Sequence, residues 1–539
     1  MTEYDYIIVG GGTSACVAAG RLVGEFGARV LMLEQGGGDG HPLLRMPAGF
    51  IKMLSGSRHL TFHRTVPQPQ LDGRVQDLPQ GRVLGGGSSV NGLVYMRGRP
   101  EDYDHWADAT GDPGWGWQAM LRRFFRQEAN QRFYGEAHGT DGPLKVSNHE
   151  HVCDLSHAYV RTLQGMGHAF RPDFNAGEQR GVGYMQLTAS RGRRCSAVDA
   201  FLRPVMDDSR LKIRLKARVI RLVVENGRCT GVVFDDGRGV ETAHAATEVI
   251  LAAGAFGTPK LMMLSGLGPA AHLAEHGIET VADLPGVGQN LMDHHEVPVV
   301  ATTDGAYGYF RQDVGWNMIR NGLQYLLFRS GPVTSNGVEA CAFVDPYGGP
   351  SVGEGPPIIK LYCVPTVYLD RDIREVRPTD GVTLNACLMQ PRARGWVKLA
   401  SADPADPPLI HGNYLGDPDD VADEIAGLRF ARAVLASRPL SDLVTGELLP
   451  GAGVDDDDAL ERHCRRTVKT NYHACGTCRM GPDGDPMAVL TPDLRVRGVD
   501  GLRVIDVSMM PRIVSANTNA PAMAVADRAV DLITGSPSA

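Results

Sequence analysis

The sequence predicts an α/β fold: a Rossmann-like dinucleotide-binding domain interleaved with an α+β domain built on an antiparallel sheet. Three observations carry this. A β-branched strand at the N-terminus runs straight into a glycine turn and an amphipathic helix. A second apolar run, 249–253, enters another glycine-rich turn. After residue 298 the pattern changes to alternating strands and short helices.

In the first segment, Tyr4 to Val9 reads as a buried parallel strand. It is followed by Gly10-Gly11-Gly12-Thr13-Ser14-Ala15, then by a helix with Cys16, Ala19, Leu22 and Val23 on one side. A second strand, 28–33, ends at Glu34. This is a Gly-x-Gly-x-x-Ala fingerprint in its expected setting. Gly10 permits the turn, Gly12 lets backbone reach a diphosphate, and Ala15 lets helix and strand pack closely. The helix N-terminus favours an anion. Glu34 accepts from ribose hydroxyls and disfavours a 2′-phosphate, so an ADP-containing cofactor is expected, with NAD and FAD both open at this point.

Composition narrows the class. Of 539 residues, 66 are glycine, where ordinary usage of ~7% gives roughly 38. There is no G-X-Y period, so the surplus is not collagen-like. A net charge of −8 argues against a generic nucleic-acid or anionic-membrane binder. No apolar run is long enough for a transmembrane segment, and the N-terminus carries no leader pattern, so a cytoplasmic location is the expectation. Ten cysteines form no secreted framework. Cys475 and Cys478 make one C-x-x-C, but no second pair supports zinc and no thioredoxin-like opening precedes them, so a redox role is the minor reading and no metal is expected. The acidic run 455–458 reads as a solvated loop or helix start.

Two further glycine clusters are informative. One runs from Gly81-Arg82 through Gly85-Gly86-Gly87-Ser88-Ser89-Val90-Asn91-Gly92 to Arg97-Gly98, a backbone rich in donors and poor in side-chain cover. By itself it fits a ligand-facing loop or a plain glycine hairpin. The other is Gly254-Ala-Phe-Gly257-Thr258-Pro259, continuing to Ser265-Gly266-Leu-Gly268, with Thr258-Pro259 expected to start a helix. These stretches resemble the two signature motifs of the glucose–methanol–choline (GMC) flavin oxidoreductases. Further similar segments are Asp173-Phe-Asn175, Arg193 to Asp199, Leu284 to Asn290 with Asp293-His294, and Val504-Ile-Asp506.

The resemblance implies FAD as cofactor and an alcohol as the usual electron donor. It places FAD against Gly10, Gly12, Thr13, Ser14, Glu34, Gln35, Arg82, Val83, Gly86, Asn91, Gly92, Leu93, Val94, Val219, Ala253, Tyr472, Asp506, Val507, Asn517 and Thr518. Members with FAD attached through histidine carry that histidine just before the Asn of the second cluster. Val90 stands there in this chain, so non-covalent FAD is expected.

The chemistry implied by the resemblance lies near the C-terminus. Asn471-Tyr-His473-Ala-Cys-Gly476 resembles the family's catalytic segment, and Val514-Ser-Ala-Asn517-Thr518-Asn519-Ala-Pro521 the segment with its second catalytic position. His473 is then the general base for the hydroxyl proton, its ordinary pKa of ~6.5 suiting neutral pH. Asn517 donates to the developing alkoxide as hydride moves to the flavin. Residues 519–533 read as a helix whose N-terminus favours the charge left on the reduced flavin.

The expected organisation is a discontinuous FAD-binding domain (1–154, 194–298 and 460–539) and a substrate-binding domain (155–193 and 299–459). Strands are expected at 339–344, 358–364, 382–389 and 395–399. Phe62, His63, Tyr307, Tyr309, Phe310, Trp316 and Phe343 are candidate aromatics at the substrate's approach, and Glu339 a candidate acid; Phe62, Phe310, Glu339 and His473 are the substrate residues of choice. Choline is a minority reading, because a quaternary ammonium calls for a richer aromatic enclosure. The expected partners are a small-molecule alcohol and an electron acceptor, O2 or a redox carrier, and the sequence allows a homo-oligomer. A flavin-containing lyase without net redox chemistry is the alternative. The family's light-driven decarboxylases lack the catalytic His, and a mere flavin-binding module would not need the His–Asn pair.

Overall fold

The computed structural model describes residues 4–348, 355–370, 372–373 and 376–536; Met1 to Glu3, the start of the segment read for a leader, lie outside it. The β-branched and aliphatic run at the N-terminus forms the strand Tyr4–Val9, whose Ile7, Ile8 and Val9 are buried. It sits at the centre of a parallel layer. Val30–Glu34 and then Leu211–Leu215 lie on one side, Val240–Leu251 and then Leu502–Val504 on the other. Val240–Leu251 is much longer than the apolar run that marked it. Its exposed first half leaves the parallel layer to pair antiparallel with Arg228–Asp235, which in turn pairs with Arg218–Glu225.

Register brings the strand ends level. Val9 lies opposite both Leu33 and Leu251, and Leu251 opposite Val504. The segments Gly10–Ser14, Glu34–Gln35, Ala252–Gly254 and Ile505–Val507 therefore leave the sheet along one edge, where open α/β sheets bind ligands. Gly10 turns there with φ +98°, and a Cβ on it would meet the Ala252 carbonyl oxygen at 2.4 Å, so no other residue fits.

The helix expected to begin at Thr258-Pro259 begins instead at Gly254 and runs to Leu264, with Pro259 inside it. Proline lacks the N–H that would bond the carbonyl four residues back, that of Ala255. The hydroxyl of Thr477 donates to that carbonyl at 2.7 Å, which relieves the vacancy and ties the helix to the catalytic segment.

The second sheet is antiparallel, in the order Ala340–Val344, Ile359–Val364, Gly381–Leu388, His295–Thr303, Val444–Leu449, with Lys469–Thr470 also pairing His295–Thr303. Its strands begin and end within a residue or two of expectation, except that Trp396–Lys398 pairs with Leu409–His411 outside this sheet. Alternation gives it two distinct faces. Ile359, Leu361 and Cys363 join the apolar cluster shared with the helix Pro418–Leu435, while Lys360, Tyr362 and Val364 face the other way, towards the first sheet. The acidic run ends as a helix start, Asp456 capping Asp457–Thr467 by accepting from the N–H of Ala459. Among the described residues no helix is long and apolar enough to cross a membrane.

The C-terminal helix Asn519–Thr534 packs along the first helix, Thr13–Gly24. Buried charges fix the pair. Arg21 reaches Asp531 at 2.9 Å and Asp527 at 3.3 Å, and Arg123 also pairs with both carboxylates. Removing one partner from such a cluster leaves buried charge uncompensated. Asp531→Ala is expected to destabilise the protein by about 3–5 kcal/mol. Denaturant unfolding of holoenzyme and variant measures it, and coincident midpoints would show the cluster to be idle.

Candidate active site

One cavity of about 460 Å³ runs between the two sheets. From the first sheet it takes Val9 to Ser14, Glu34, Gln35, Val219, Ala253, Asp506 and Val507. From the second glycine cluster come Gly86 and Val90 to Val94. The wall formed by the second sheet supplies Glu296, Lys360, Tyr362 and Val364, and the C-terminal part supplies Tyr472, His473, Asn517, Thr518 and Asn519.

Backbone dominates the end nearest the first sheet. Helix Thr13–Gly24 starts there, and its first-turn N–H groups have no partner within the helix. Glycine loops meet without side chains between them: a Cβ on Gly86, at φ +50°, would lie 2.8 Å from the Cα of Gly12. Glu34 holds this arrangement, its carboxylate accepting from the N–H of Gly11 at 2.8 Å and of Gly36 at 2.6 Å. Burial raises its pKa. Asp506 does the same for the adjoining turn, accepting from the N–H of Gly254 at 2.9 Å and the hydroxyl of Thr258 at 2.6 Å. Arg194 clamps the second cluster by donating to Ser88 and Asn91 carbonyls and to the Asn91 side chain. Burial lowers its pKa to about 9. Unpartnered helix N–H groups, side-chain-free approach and a buried acid are the donor and acceptor set that a long, anionic dinucleotide requires, so the residues present fit FAD.

At the opposite wall, side chains replace backbone. His473 Nε2 lies 3.1 Å from Asn517 Nδ2, and His473 Nδ1 lies 2.9 Å from Nδ1 of His294. His294 Nε2 lies 3.0 Å from the carbonyl oxygen of Met389, and Lys360 Nζ donates to Asn517 Oδ1 at 2.9 Å. The direction of every bond follows from the two ends. A carbonyl only accepts, so His294 Nε2 carries the proton and, the ring being neutral, its Nδ1 accepts. His473 therefore donates from Nδ1 and keeps a lone pair on Nε2. An ammonium only donates, so Asn517 turns Oδ1 to Lys360 and Nδ2 to that same lone pair. Burial, then His294, then Lys360 lower the His473 pKa well below the ordinary value, and burial lowers that of His294 to about 3. Both rings are neutral at physiological pH.

The main chain beneath His473 is held equally firmly. Asp293 accepts from the His473 N–H at 2.8 Å while also accepting from the hydroxyls of Tyr414 and Thr470. Burial lifts its pKa to about 6. Tyr472, immediately before the histidine, is left-handed at φ +65°, a conformation that the Asp293 and Thr470 hydrogen bonds sustain.

Most residues expected at a cofactor line this cavity; Arg82 and Val83 do not. Arg82 points into solvent and Val83 packs in a small apolar cluster with Leu44, Met53 and Leu60. The substrate expectations are corrected more widely. Phe62 packs beside that same cluster, Phe310 lies outside the cavity, and Trp316 stands 73% exposed. Glu339 is fully buried behind the wall, where its carboxylate accepts from Ser335, Ser156 and Tyr309. Of the seven aromatics only Tyr309 reaches the cavity, and Tyr362, Tyr368, Tyr472 and Phe50 join it there. Cys475 and Cys478 are buried, unpaired thiols whose pKa values burial raises.

Comparison with known proteins agrees with this architecture. GMC oxidoreductase family profiles match residues 4–296 and 391–526. The chain belongs to the GMC oxidoreductase family. This GMC chain is 40% identical to an alcohol dehydrogenase [acceptor] of Pseudomonas putida over 98% of its own length and 95% of the relative's. It is 37% identical to an oxygen-dependent choline dehydrogenase of Brucella canis over 99% and 96%. Among solved structures it resembles pyridoxine 4-oxidase from Mesorbium loti (TM-score 0.89, 28% identity, 98% of each chain). It also resembles a formate oxidase of Aspergillus oryzae (TM-score 0.91, 27% identity, 99% of each chain). As a GMC member the chain is an FAD-dependent oxidoreductase acting on CH–OH donors.

Reading the sequence missed Lys360 and assigned no role to Asp293 or His294. Asp293-His294 did stand within a family-like segment. Lys360 left a physical signal too, a lone cation inside the otherwise apolar strand Ile359–Val364.

Proposed function

We propose that the cavity oxidises an alcohol to its carbonyl, with His473 as general base and Asn517 as the donor that fixes the carbinol oxygen. FAD, held by the first sheet and the glycine loops, supplies a two-electron hydride acceptor when bound. The residues 1–154, 194–298 and 460–539 then serve chiefly the cofactor, and 155–193 with 299–459 the substrate.

The fixed polarity of the His294–His473–Asn517 chain carries this reading. An alcohol hydroxyl is both donor and acceptor. Placed between His473 and Asn517, it donates to the Nε2 lone pair and accepts from Nδ2, so both groups are satisfied by the one substrate atom that must lose a proton. His294 prevents the imidazole from adopting the other tautomer, which would present N–H to the hydroxyl and leave no base. The proton taken at Nε2 makes His473 cationic next to Lys360, an unstable arrangement that favours passing the proton to solvent after reaction. The relatives described above are all named for redox reactions, and none supports the lyase alternative.

His473→Ala is expected to slow anaerobic bleaching of the flavin by an alcohol by ~10²–10⁴, with FAD retained, and Asn517→Ala to slow it less. Bleaching at the wild-type rate in His473→Ala would remove the histidine from the chemistry.

A lowered pKa has a definite sign. The base works while neutral, so activity is lost only as pH falls through a value well below ~6.5. The acid limb of the reduction rate should accordingly lie far to the acid side of an ordinary histidine, and a limb centred near neutrality would contradict the burial of His473.

Val90 lines the cavity at the position where a tethering histidine would stand, and it offers no nucleophile. The FAD is therefore held without a covalent bond. Acid precipitation should leave all of the yellow chromophore in the supernatant; flavin remaining in the pellet would show a tether.

A further inference from the structure

We propose that the alcohol carries a carboxylate, bound by Lys360, so that the enzyme's substrates are short hydroxycarboxylates. This rests on the reading of the cavity as an alcohol-oxidising site and names the class of alcohol.

Lys360 is 5% exposed and faces the cavity. Its ammonium gives one hydrogen bond, to the neutral Asn517 Oδ1, and no ion pair joins it to a carboxylate among the described residues. An ammonium has three N–H donors. Two are left to a space that also holds His473. The nearby charges do not compensate it. Glu296, the carboxylate on the same wall, is taken by Lys469 at 2.8 Å and by the hydroxyl of Tyr362. His473 and His294 are neutral, and Lys360 itself helps keep them so. Besides Asn517 the ammonium has the Phe343 ring, 5.8 Å from it, so the catalytic end carries one positive charge with no carboxylate paired to it among the described residues.

A lone buried cation is strongly unfavourable unless an anion joins it. The strand could have avoided it, since Tyr362 and Val364, on the same face, are uncharged and well packed. A carboxylate from the substrate completes the site: it accepts the two remaining N–H bonds in a charge-assisted pair. Only the width of the Asn517 carboxamide separates the ammonium from His473 Nε2, so the carboxylate and the carbinol carbon are joined by a short chain. The same charge repels a quaternary ammonium, so choline is disfavoured. The chemistry stays balanced. The carbinol C–H electron pair leaves as hydride to the bound cofactor, the hydroxyl proton goes to His473, and the product is the corresponding oxo-carboxylate with its carboxylate unchanged.

The test uses holoenzyme with Lys360→Gln, which keeps a donor for Asn517 without the charge, and Lys360→Arg, which restores it. Butyrate, which has no hydroxyl, probes binding by calorimetry; 4-hydroxybutyrate against 1-butanol probes turnover by flavin bleaching. Butyrate should bind wild type, bind Lys360→Gln on the order of 10²-fold more weakly, and recover in Lys360→Arg. The kcat/KM ratio of 4-hydroxybutyrate to 1-butanol should fall by a similar factor in Lys360→Gln. Equal butyrate affinity in wild type and Lys360→Gln would overturn the proposal. So would equal losses for the two alcohols, which would assign the ammonium to the carbinol oxygen. A fall in FAD content in Lys360→Gln would assign it to the cofactor and overturn the proposal as well. Lys360-dependent butyrate binding without bleaching by either alcohol would leave this inference standing and defeat the alcohol-oxidation reading.

Discussion

The polarity of one hydrogen-bond chain governs the site. It begins at the Met389 carbonyl, which cannot donate, and ends at the Lys360 ammonium, which cannot accept. Between these ends, His294, His473 and Asn517 have no freedom to reverse. A buried imidazole in water-free surroundings ordinarily has two tautomers of similar energy. Here one is selected from both directions, and it is the one with its lone pair turned into the cavity. The two ends come from adjacent strands of the second sheet or the residue just beyond, while His473 and Asn517 come from the C-terminal segments. The hydrogen-bond chain is thus assembled only when sheet and C-terminal region are docked.

The opposite wall solves a different problem with different material. A cofactor with a diphosphate needs many weak donors close to its backbone, and side chains would keep the donors too far away. Level strand ends, a helix N-terminus and two glycine loops in backbone contact supply them. Ten of the 66 glycines line this cavity, so these surfaces take up part of the glycine surplus seen in the composition. Glu34 and Asp506 are the counterparts of that arrangement: each uses its carboxylate to hold loop N–H groups in place, and each still lines the cavity.

These two walls were unequally readable in the sequence. Local chain order encodes the cofactor wall, because strand, turn, helix and acid follow one another within 34 residues. Periodicity likewise marked the strands of the second sheet. The substrate wall comes from residues distant in sequence whose direction depends on strand register. Phe62 and Phe310 have suitable chemistry and the wrong facing, while Tyr362 and Tyr368, never singled out, have the right one. Glu339 shows the same limit: its acid is real but is consumed by Ser156, Ser335 and Tyr309. Pro259 misled for a related reason. Its cost to a helix interior is normally decisive, and the compensating Thr477 lies 218 residues away.

In the proposed reaction a lowered pKa works against His473 as the base for an alcohol, since a weaker base has less driving force. The site offsets this by acting on the other partner. Lys360, through Oδ1, draws electron density from the Asn517 carboxamide and makes its N–H a stronger donor to the carbinol oxygen. The Lys360–Asn517 bond thus reaches the alkoxide only as relayed by the carboxamide, while the ammonium's remaining N–H groups are left to the substrate carboxylate. Both proton affinities shift in the same direction, so the difference between them, which sets the driving force, changes little. What does change is the protonation state of the resting enzyme. With its pKa held well below the ordinary value, His473 rests neutral, the form in which the proposed base accepts a proton.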